Sequence, residues 1–307
     1  MNDNYIELRT RSTFGDIVNT YFLFLKYNFK SYTNLYLRYN AASIALTLIA
    51  SYLLVTGFLG LASRDFRFGM SNNIESDSYF IAGLIVFLLI IFVTSLINYS
   101  FSSAFIAQYV NNQGHINPKT IWRSILNNLG TIIVFILIGA LLYGLYLIIT
   151  VMVSFIPLLG MIIQYGLSFT LAAVFGLTFM SIFSSNKSFG EAISEGFDLT
   201  FSNFWRVILF GLVIGILNFL ISALIVAIPS VIIGVYVYFS VESNVDLLTN
   251  TFSTLVFTFG FAAFILSFIY TQALSQLSYG ILYYNLYEVK YNVFLQKKIE
   301  QIGINEQ

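Results

Sequence analysis

A chain of 307 residues with 58% hydrophobic and only 9% charged side chains, and a mean hydropathy of +0.83, lacks the polar surface that a water-soluble domain needs. Its 14 basic and 14 acidic residues cancel, and no Lys/Arg run with interleaved aromatics occurs, so nucleic acid is not an expected partner. With no cysteine and a single histidine, His115, disulfides, thiolate nucleophiles and His/Cys metal clusters are excluded, and no cofactor or metal is expected.

Residues 1–12 are polar and read as a mobile tail, with no apolar stretch of the kind a cleavable signal peptide needs. Thr13-x-x-Asp16 then predicts a helix start, because the carboxylate can accept the first free backbone N–H and suits the positive end of the helix. Phe14, Ile17, Val18, Tyr21, Phe22, Leu25 and Phe29 follow helical spacing, with Asp16, Asn19, Lys26 and Lys30 on the other side. A helix of this pattern lies along a membrane interface or packs its apolar face on other helices, and both readings stand.

Ala41–Ala62 is uncharged and has the length of about 20 residues that a hydrocarbon layer of about 30 Å requires. Ser63–Ser78 carries Arg64, Asp65, Arg67, Glu75 and Asp77 and is expected in water. A second span starts near Tyr79, and after Asn98 it becomes rich in serine, so the helix is expected to project past the bilayer. Asn117-Pro118 is a helix start. It opens a short segment with Ile121, Ile125, Leu126 and Leu129 on one side and Lys119 and Arg123 off it. The apolar run from Gly130 to Phe183 is two crossings long, and Pro157 is expected to mark the turn between spans three and four.

Lys187–Trp205, KSFGEAISEGFDLTFSNFW, repeats Ser12–Lys30 in type and spacing: Phe14-Gly15-Asp16 answers Phe189-Gly190-Glu191, Phe22 answers Phe197, and Asn28-Phe29 answers Asn203-Phe204. Ser188-x-x-Glu191 is a full capping box. Glu191, Ser194, Glu195 and Asp198 are expected to face away from its apolar stripe, making an acidic face that is either simply solvated, the more ordinary use, or suited to a protein or basic partner rather than to an anionic leaflet. Span five starts near Trp205, and Pro229 is expected to end or bend it, leaving residues 230–251 as a connection of undetermined form. Span six covers Thr251–Leu282, followed by a polar tail expected to be helical. Trp122, Trp205, Tyr283, Tyr284 and Tyr287 lie at span boundaries and read as interface anchors.

The order predicts an all-α polytopic helical membrane protein of six transmembrane helices, in three repeats of amphipathic helix plus two spans. The divisions are a tail at 1–12, repeats at 13–110, 111–186 and 187–285, and a tail at 286–307. Arg9, Arg11, Lys26, Lys30, Arg38, Lys119, Arg123, Lys187, Arg206, Lys290, Lys297 and Lys298 all fall on one side of such a topology, against Arg64 and Arg67 on the other. The positive-inside rule then puts both termini and the amphipathic helices in the cytoplasm.

No charged residue or histidine lies centrally in any span, which argues against proton-coupled pumps and charge-selective pores. The candidate intramembrane polar residues are Asn98, Gln164, Asn218 and Gln272, whose ordinary use is interhelical hydrogen bonding. Gly211 and Gly215 form a GxxxG that permits close helix contact. No catalytic triad, phosphate loop or zinc spacing is present, so the chain is not expected to be an enzyme.

At Arg11, Gly15-Asp16-Ile17, Asn19, Phe22, Phe24, Lys26 and Asn28-Phe29-Lys30, and again at Tyr284-Asn285-Leu286-Tyr287-Glu288, Ile299, Ile302 and Gly303, the chain resembles a family of uncharacterised six-span bacterial inner-membrane proteins. More loosely it is similar to the membrane domain attached to some glycerophosphodiester phosphodiesterases. The sequence holds no phosphodiesterase catalytic segment, and that activity is not implied. The resemblance implies an accessory component of the envelope. The repeated helix with a polar face on one side of the membrane leads to a non-enzymatic membrane protein that binds a partner or the inner leaflet, with Lys26, Lys30, Glu191, Glu195 and Asp198 as the candidate contacts. The partners expected are membrane lipid, another membrane-envelope protein, or a second copy. The alternative is a channel or transporter for a lipid or neutral small solute moving between the repeats.

Overall fold

The computed structural model describes residues 5–66, 74–156, 158–185 and 187–305. Ten helices follow one another: α1 (Phe14–Tyr39), α2 (Ala41–Phe66), α3 (Ile74–Asn111), α4 (Pro118–Asn127), α5 (Leu129–Val153), α6 (Leu159–Ser185), α7 (Phe189–Ser202), α8 (Phe204–Glu242), α9 (Thr251–Tyr291) and α10 (Val293–Asn305). No strand occurs among the described residues. Six of the helices, α2, α3, α5, α6, α8 and α9, are long and apolar enough to cross a membrane. In a bilayer the backbone must satisfy its own hydrogen bonds, which is why segments this apolar adopt continuous helices.

The chain forms two compact units. The first contains residues 1–36, 98–216 and 273–307, and the second residues 37–97 and 217–272. In the first, α1 buries Ile17, Tyr21, Phe24, Tyr32 and Tyr36, and residues 101–110 of α3 are buried without exception. Phe24 lies edge-on to Tyr109 at 4.8 Å and Tyr32 edge-on to Phe105 at 5.3 Å, the geometry that aromatic quadrupoles favour. Tyr32 and Ser102 both donate to the Ala273 carbonyl, at 3.0 and 2.9 Å. Gln276 Nε2 donates to Ser103 Oγ at 2.8 Å and to the Gly176 carbonyl at 3.0 Å. These bonds tie α1, α3, α6 and α9 together with side chains that have little alternative in a lipid setting. The GxxxG of α8 receives the ring of Phe169: a Cβ at Gly211 or Gly215 would stand 3.2 or 3.3 Å from it.

In the second unit, α2 meets α3 at glycine. A Cβ at Gly57 would come within 2.5 Å of the Phe80 backbone nitrogen, and one at Gly83 within 2.8 Å of the Leu54 nitrogen, so each helix presents a small residue to the other's backbone. α2 buries Ser43, Thr47 and Ser51 along one face. Ser222 donates to Ser267, and Tyr236 bonds Ser253 at 2.6 Å.

Four expectations from sequence are corrected. Pro229 does not end α8, which continues to Glu242 through residues 230–242; the proline forfeits one backbone bond, and the apolar residues on both sides keep the remaining ladder. The N-terminal segment is not free: Leu8 is buried, the Ile6 N–H donates to the Tyr109 hydroxyl at 2.8 Å, and Asn285 Nδ2 donates to the Thr10 carbonyl at 2.7 Å. The C-terminal segment is helical as expected but is not set apart from the span before it, because α9 runs on to Tyr291 with Leu286 and Glu288 buried. The Glu288 carboxylate there accepts the N–H groups of Phe294 and Leu295, capping α10. Tyr283 and Tyr284 are core residues, whereas Trp122 and Trp205 are exposed. Pro157 and Arg67 lie outside the described residues, but α5 ends at Val153 and α6 starts at Leu159, so the chain reverses between them.

Candidate functional site

The two matching stretches begin their helices the same way. Thr13 donates its N–H and hydroxyl to Asp16 Oδ2 at 3.1 and 2.6 Å, and Ser188 does likewise to Glu191 Oε2 at 3.0 and 2.7 Å. Both carboxyls are held below their ordinary values, Asp16 by the hydrogen bonds from Thr13 and Glu191 by those from Ser188. The Phe-Gly-acid signature is therefore a helix-start device. Three turns on, burial also agrees between the copies: Ile17 and Ala192, Tyr21 and Gly196, Phe24 and Leu199 are all buried, while Phe22 and Phe197 are exposed.

Glu195 departs from its expected role. It does not join an exposed acidic face: its side chain is only 4% exposed, because it lies on the stripe of α7 that meets α6. Glu195 accepts from Ser181 Oγ, from Lys187 Nζ and, at 3.0 Å, from the Tyr283 hydroxyl. A carboxylate can be buried at this depth because a cation and two hydroxyls replace its water. Sequence spacing misses this, since Glu195 falls within the same polar run as its exposed neighbours. The signal that could have found it is its place at i+3 from Ala192 and one residue before Gly196.

Gly196 explains why α7 sits so close to α6. A Cβ there would meet Thr178 Oγ1 at 2.1 Å and the Val174 carbonyl at 3.0 Å. Only a residue without a side chain allows the approach that delivers Glu195 to Ser181. The outer edge of α7 forms an open cleft of about 390 Å³ lined by Lys187, Gly190, Glu191, Ser194, Glu195, Asp198 and Tyr291. Asp198 pairs there with Lys290.

Lys26 and Lys30 are exposed on α1, as are Tyr27, Phe22 and Phe29 at 47, 47 and 50%. The Lys26 ammonium stands 5.6 Å from the centre of the Tyr27 ring. On α4, capped by Asn117 through the Lys119 N–H at 3.0 Å, Ile121 and Ile125 are buried while Trp122 and Leu126 are half exposed. On α7 the exposed pair is Phe197 and Phe201, stacked at 6.0 Å.

The four candidate intramembrane residues are divided. Asn98 and Gln164 belong to the first unit and Asn218 and Gln272 to the second. Asn98 is fully buried and Gln164 half buried, and Gln272 donates to Ser95 Oγ at 3.1 Å.

Six apolar helices of crossing length in an all-helical chain make this a multi-pass integral membrane protein. Compared with protein families, curated proteins and solved structures, the chain matches none of them.

Proposed function

We propose that this is a non-enzymatic, accessory or scaffold protein of a bacterial cytoplasmic membrane, resting on the inner leaflet through α1, α4 and α7. The observation that carries the reading is the pair of apolar faces on each of these helices. One face is consumed by the protein core; the other leaves Phe22 and Phe29, or Trp122 and Leu126, exposed beside basic residues, and Phe197 and Phe201 exposed beside acidic Asp198, so that on α7 the rings and not charge supply the attraction. Water is a poor solvent for such a surface, whereas the headgroup boundary accepts aromatic rings and lets lysine stems lie along them. Lys26 and Lys30 add attraction to anionic lipid of about 1 kcal/mol each. The even number of spans and the basic residues on one side support cytoplasmic termini. The resemblance to six-span inner-membrane proteins leads to the same compartment.

The chain has no cysteine, so a fluorophore can be attached at Phe29→Cys alone. After reconstitution, leaflet contact predicts strong quenching by lipids spin-labelled near the headgroup, reduced when Lys26 and Lys30 are changed to glutamate. A probe that responds only to a water-borne quencher removes the reading.

A channel or transporter for a lipid or neutral small solute is the second reading. It is favoured by the buried hydroxyls of Ser43 and Ser51, which have no hydrogen-bond partner among the described residues. Replacing Ser51 with leucine would abolish solute flux in proteoliposomes if that face lines a path, and would leave an accessory protein unaffected.

A further inference from the structure

We propose that the tip of the α5–α6 hairpin is embedded among the acyl chains at the edge of the far leaflet rather than standing in water. The first observation is chemical. Between Arg123 and Lys187 there is no charged residue or histidine, and the tip itself reads Ser154-Phe155-Ile156-Pro157-Leu158. The stretch where α2 gives way to α3 carries, by contrast, Arg64, Asp65, Arg67, Glu75 and Asp77, and that where α8 gives way to α9 carries Glu242 and Asp246. Phe155 and Leu158 are 82 and 77% exposed in the protein. Exposed Val151 and Met152 before the tip and Leu159 and Ile162 after it continue the same apolar surface down both helices. A surface of this kind is continuous with the lipid-facing flank of the hairpin, and a water-exposed end would break that continuity.

The second observation concerns the backbone. A turn at the edge of the hydrocarbon costs least where its polar groups are satisfied within the protein, and part of that demand is met here. Ser154 N–H bonds the Thr150 carbonyl at 2.9 Å, Ile156 N–H bonds Val153 at 3.0 Å, and Gly160 N–H bonds Ile156 at 2.8 Å. The one hydroxyl at the tip, Ser154 Oγ, donates to the Val151 carbonyl at 2.7 Å. Gly160 makes the tight closure feasible, since a Cβ there would lie 2.3 Å from the Val153 carbonyl oxygen. Proline at 157 brings no N–H that would need a partner.

The third observation is reach. The Phe135 ring on α5 meets Phe179 of α6 at 4.9 Å and Phe189 at the start of α7 at 6.2 Å. Lys187, Glu191 and Asp198 on and beside α7 must remain outside the hydrocarbon, so this contact marks the near boundary. From Phe135 to Val153, and from Phe179 to Leu159, the helices rise by about 27 and 30 Å. That matches one hydrocarbon layer of about 30 Å, so the tip between Val153 and Leu159 lies at its far edge and does not project well past it. Gln164, half buried on α6 below the tip, is the one amide along the way.

The test uses single-cysteine variants of the full chain in lipid bilayers, with a nitroxide at Ser154→Cys and controls at Ser78→Cys and Ser243→Cys. Collision with dissolved oxygen, which concentrates in acyl chains, is compared with collision with a water-soluble nickel chelate. The expected result is an oxygen-to-nickel ratio at least tenfold higher at position 154 than at either control. A ratio equal to that of the controls overturns the proposal, because the tip then meets water. Low collision with both reagents also overturns it, because the tip would then be covered by protein, such as a second copy. As a second measurement, Phe155→Asp is expected to reduce the yield of folded protein severalfold while Asn250→Asp does not. Equal yields would count against an acyl-chain setting.

Discussion

Asp16, Glu191 and Glu195 are three carboxylates on one kind of helix with different tasks, and burial separates them. Glu195 accepts from Lys187, Ser181 and Tyr283, so removing it leaves two buried hydroxyls without their acceptor and takes the partner from a partly exposed cation. Glu195→Ala is expected to lower the stability of the detergent-solubilised protein by about 3 kcal/mol. Glu195→Gln, which keeps an acceptor but loses the charge, is expected to cost about 1–2 kcal/mol. Asp198→Asn breaks an exposed pair with Lys290 and should stay within about 0.5 kcal/mol. Thermal melts followed by circular dichroism give the ranking, and an Asp198 effect as large as that of Glu195→Ala would contradict the burial described. The two caps respond to acid instead. Since hydrogen bonds from Thr13 and Ser188 lower the folded pKa values beneath the ordinary 3.8 and 4.5, the unfolded chain takes up protons first as pH falls. The stabilisation they give is complete above about pH 5.5 and declines through the lowered folded values. The difference between wild type and the double variant Thr13→Ala, Ser188→Ala, measured by the same melts, should therefore be constant near neutrality and shrink below about pH 4.5.

Helix α7 is held by shape before it is held by charge. A methyl group at Gly196 would overlap Thr178 Oγ1, so Gly196→Ala is expected to destabilise by about 1–3 kcal/mol despite the higher helix propensity of alanine. Thr178→Ala added to it should recover part of that loss by removing the clashing oxygen, whereas addition of two independent losses would show that α7 does not approach α6 in this way. The same helix shows what sequence reading reaches. Its start was legible from Ser188 and Glu191, as that of α4 was from Asn117 and Pro118, because caps act within four residues. The apolar lengths of the six spans were legible for the same local reason. The burial of Glu195 was not, since its partners Ser181 and Tyr283 come from α6 and α9 and no local pattern announces them. Pro229 misled because the rule that proline stops a helix assumes water as the competitor for the freed carbonyl, and an apolar setting supplies none. The docked N-terminal segment was missed for a related reason: its backbone is anchored at Ile6 and Thr10 through Tyr109 and Asn285, far away in sequence.

At the scale of the whole molecule, sidedness follows from charge and from the parity of the spans together. In the proposed topology the basic residues of the N-terminal arm, of α4, of the α6–α7 connection and of the C-terminal segment share one side, while the other side carries Arg64 and Arg67 alone. Such agreement across every connection leaves no segment pulling toward the opposite orientation. The expected outcome is that cysteines placed at Ser12 and at Gln296 react with an impermeant reagent only in inside-out vesicles, and a cysteine at Asn250 only in right-side-out ones. Reaction of Ser12→Cys and Gln296→Cys from opposite faces would mean an odd number of crossings and would undo the assignment of α1, α4 and α7 to a common leaflet. The α5–α6 pair does not affect this count whether its tip is wet or dry, since a hairpin that enters and returns preserves parity. The sidedness of the termini and the depth of that tip are thus separate measurements, and a failure of one leaves the other standing.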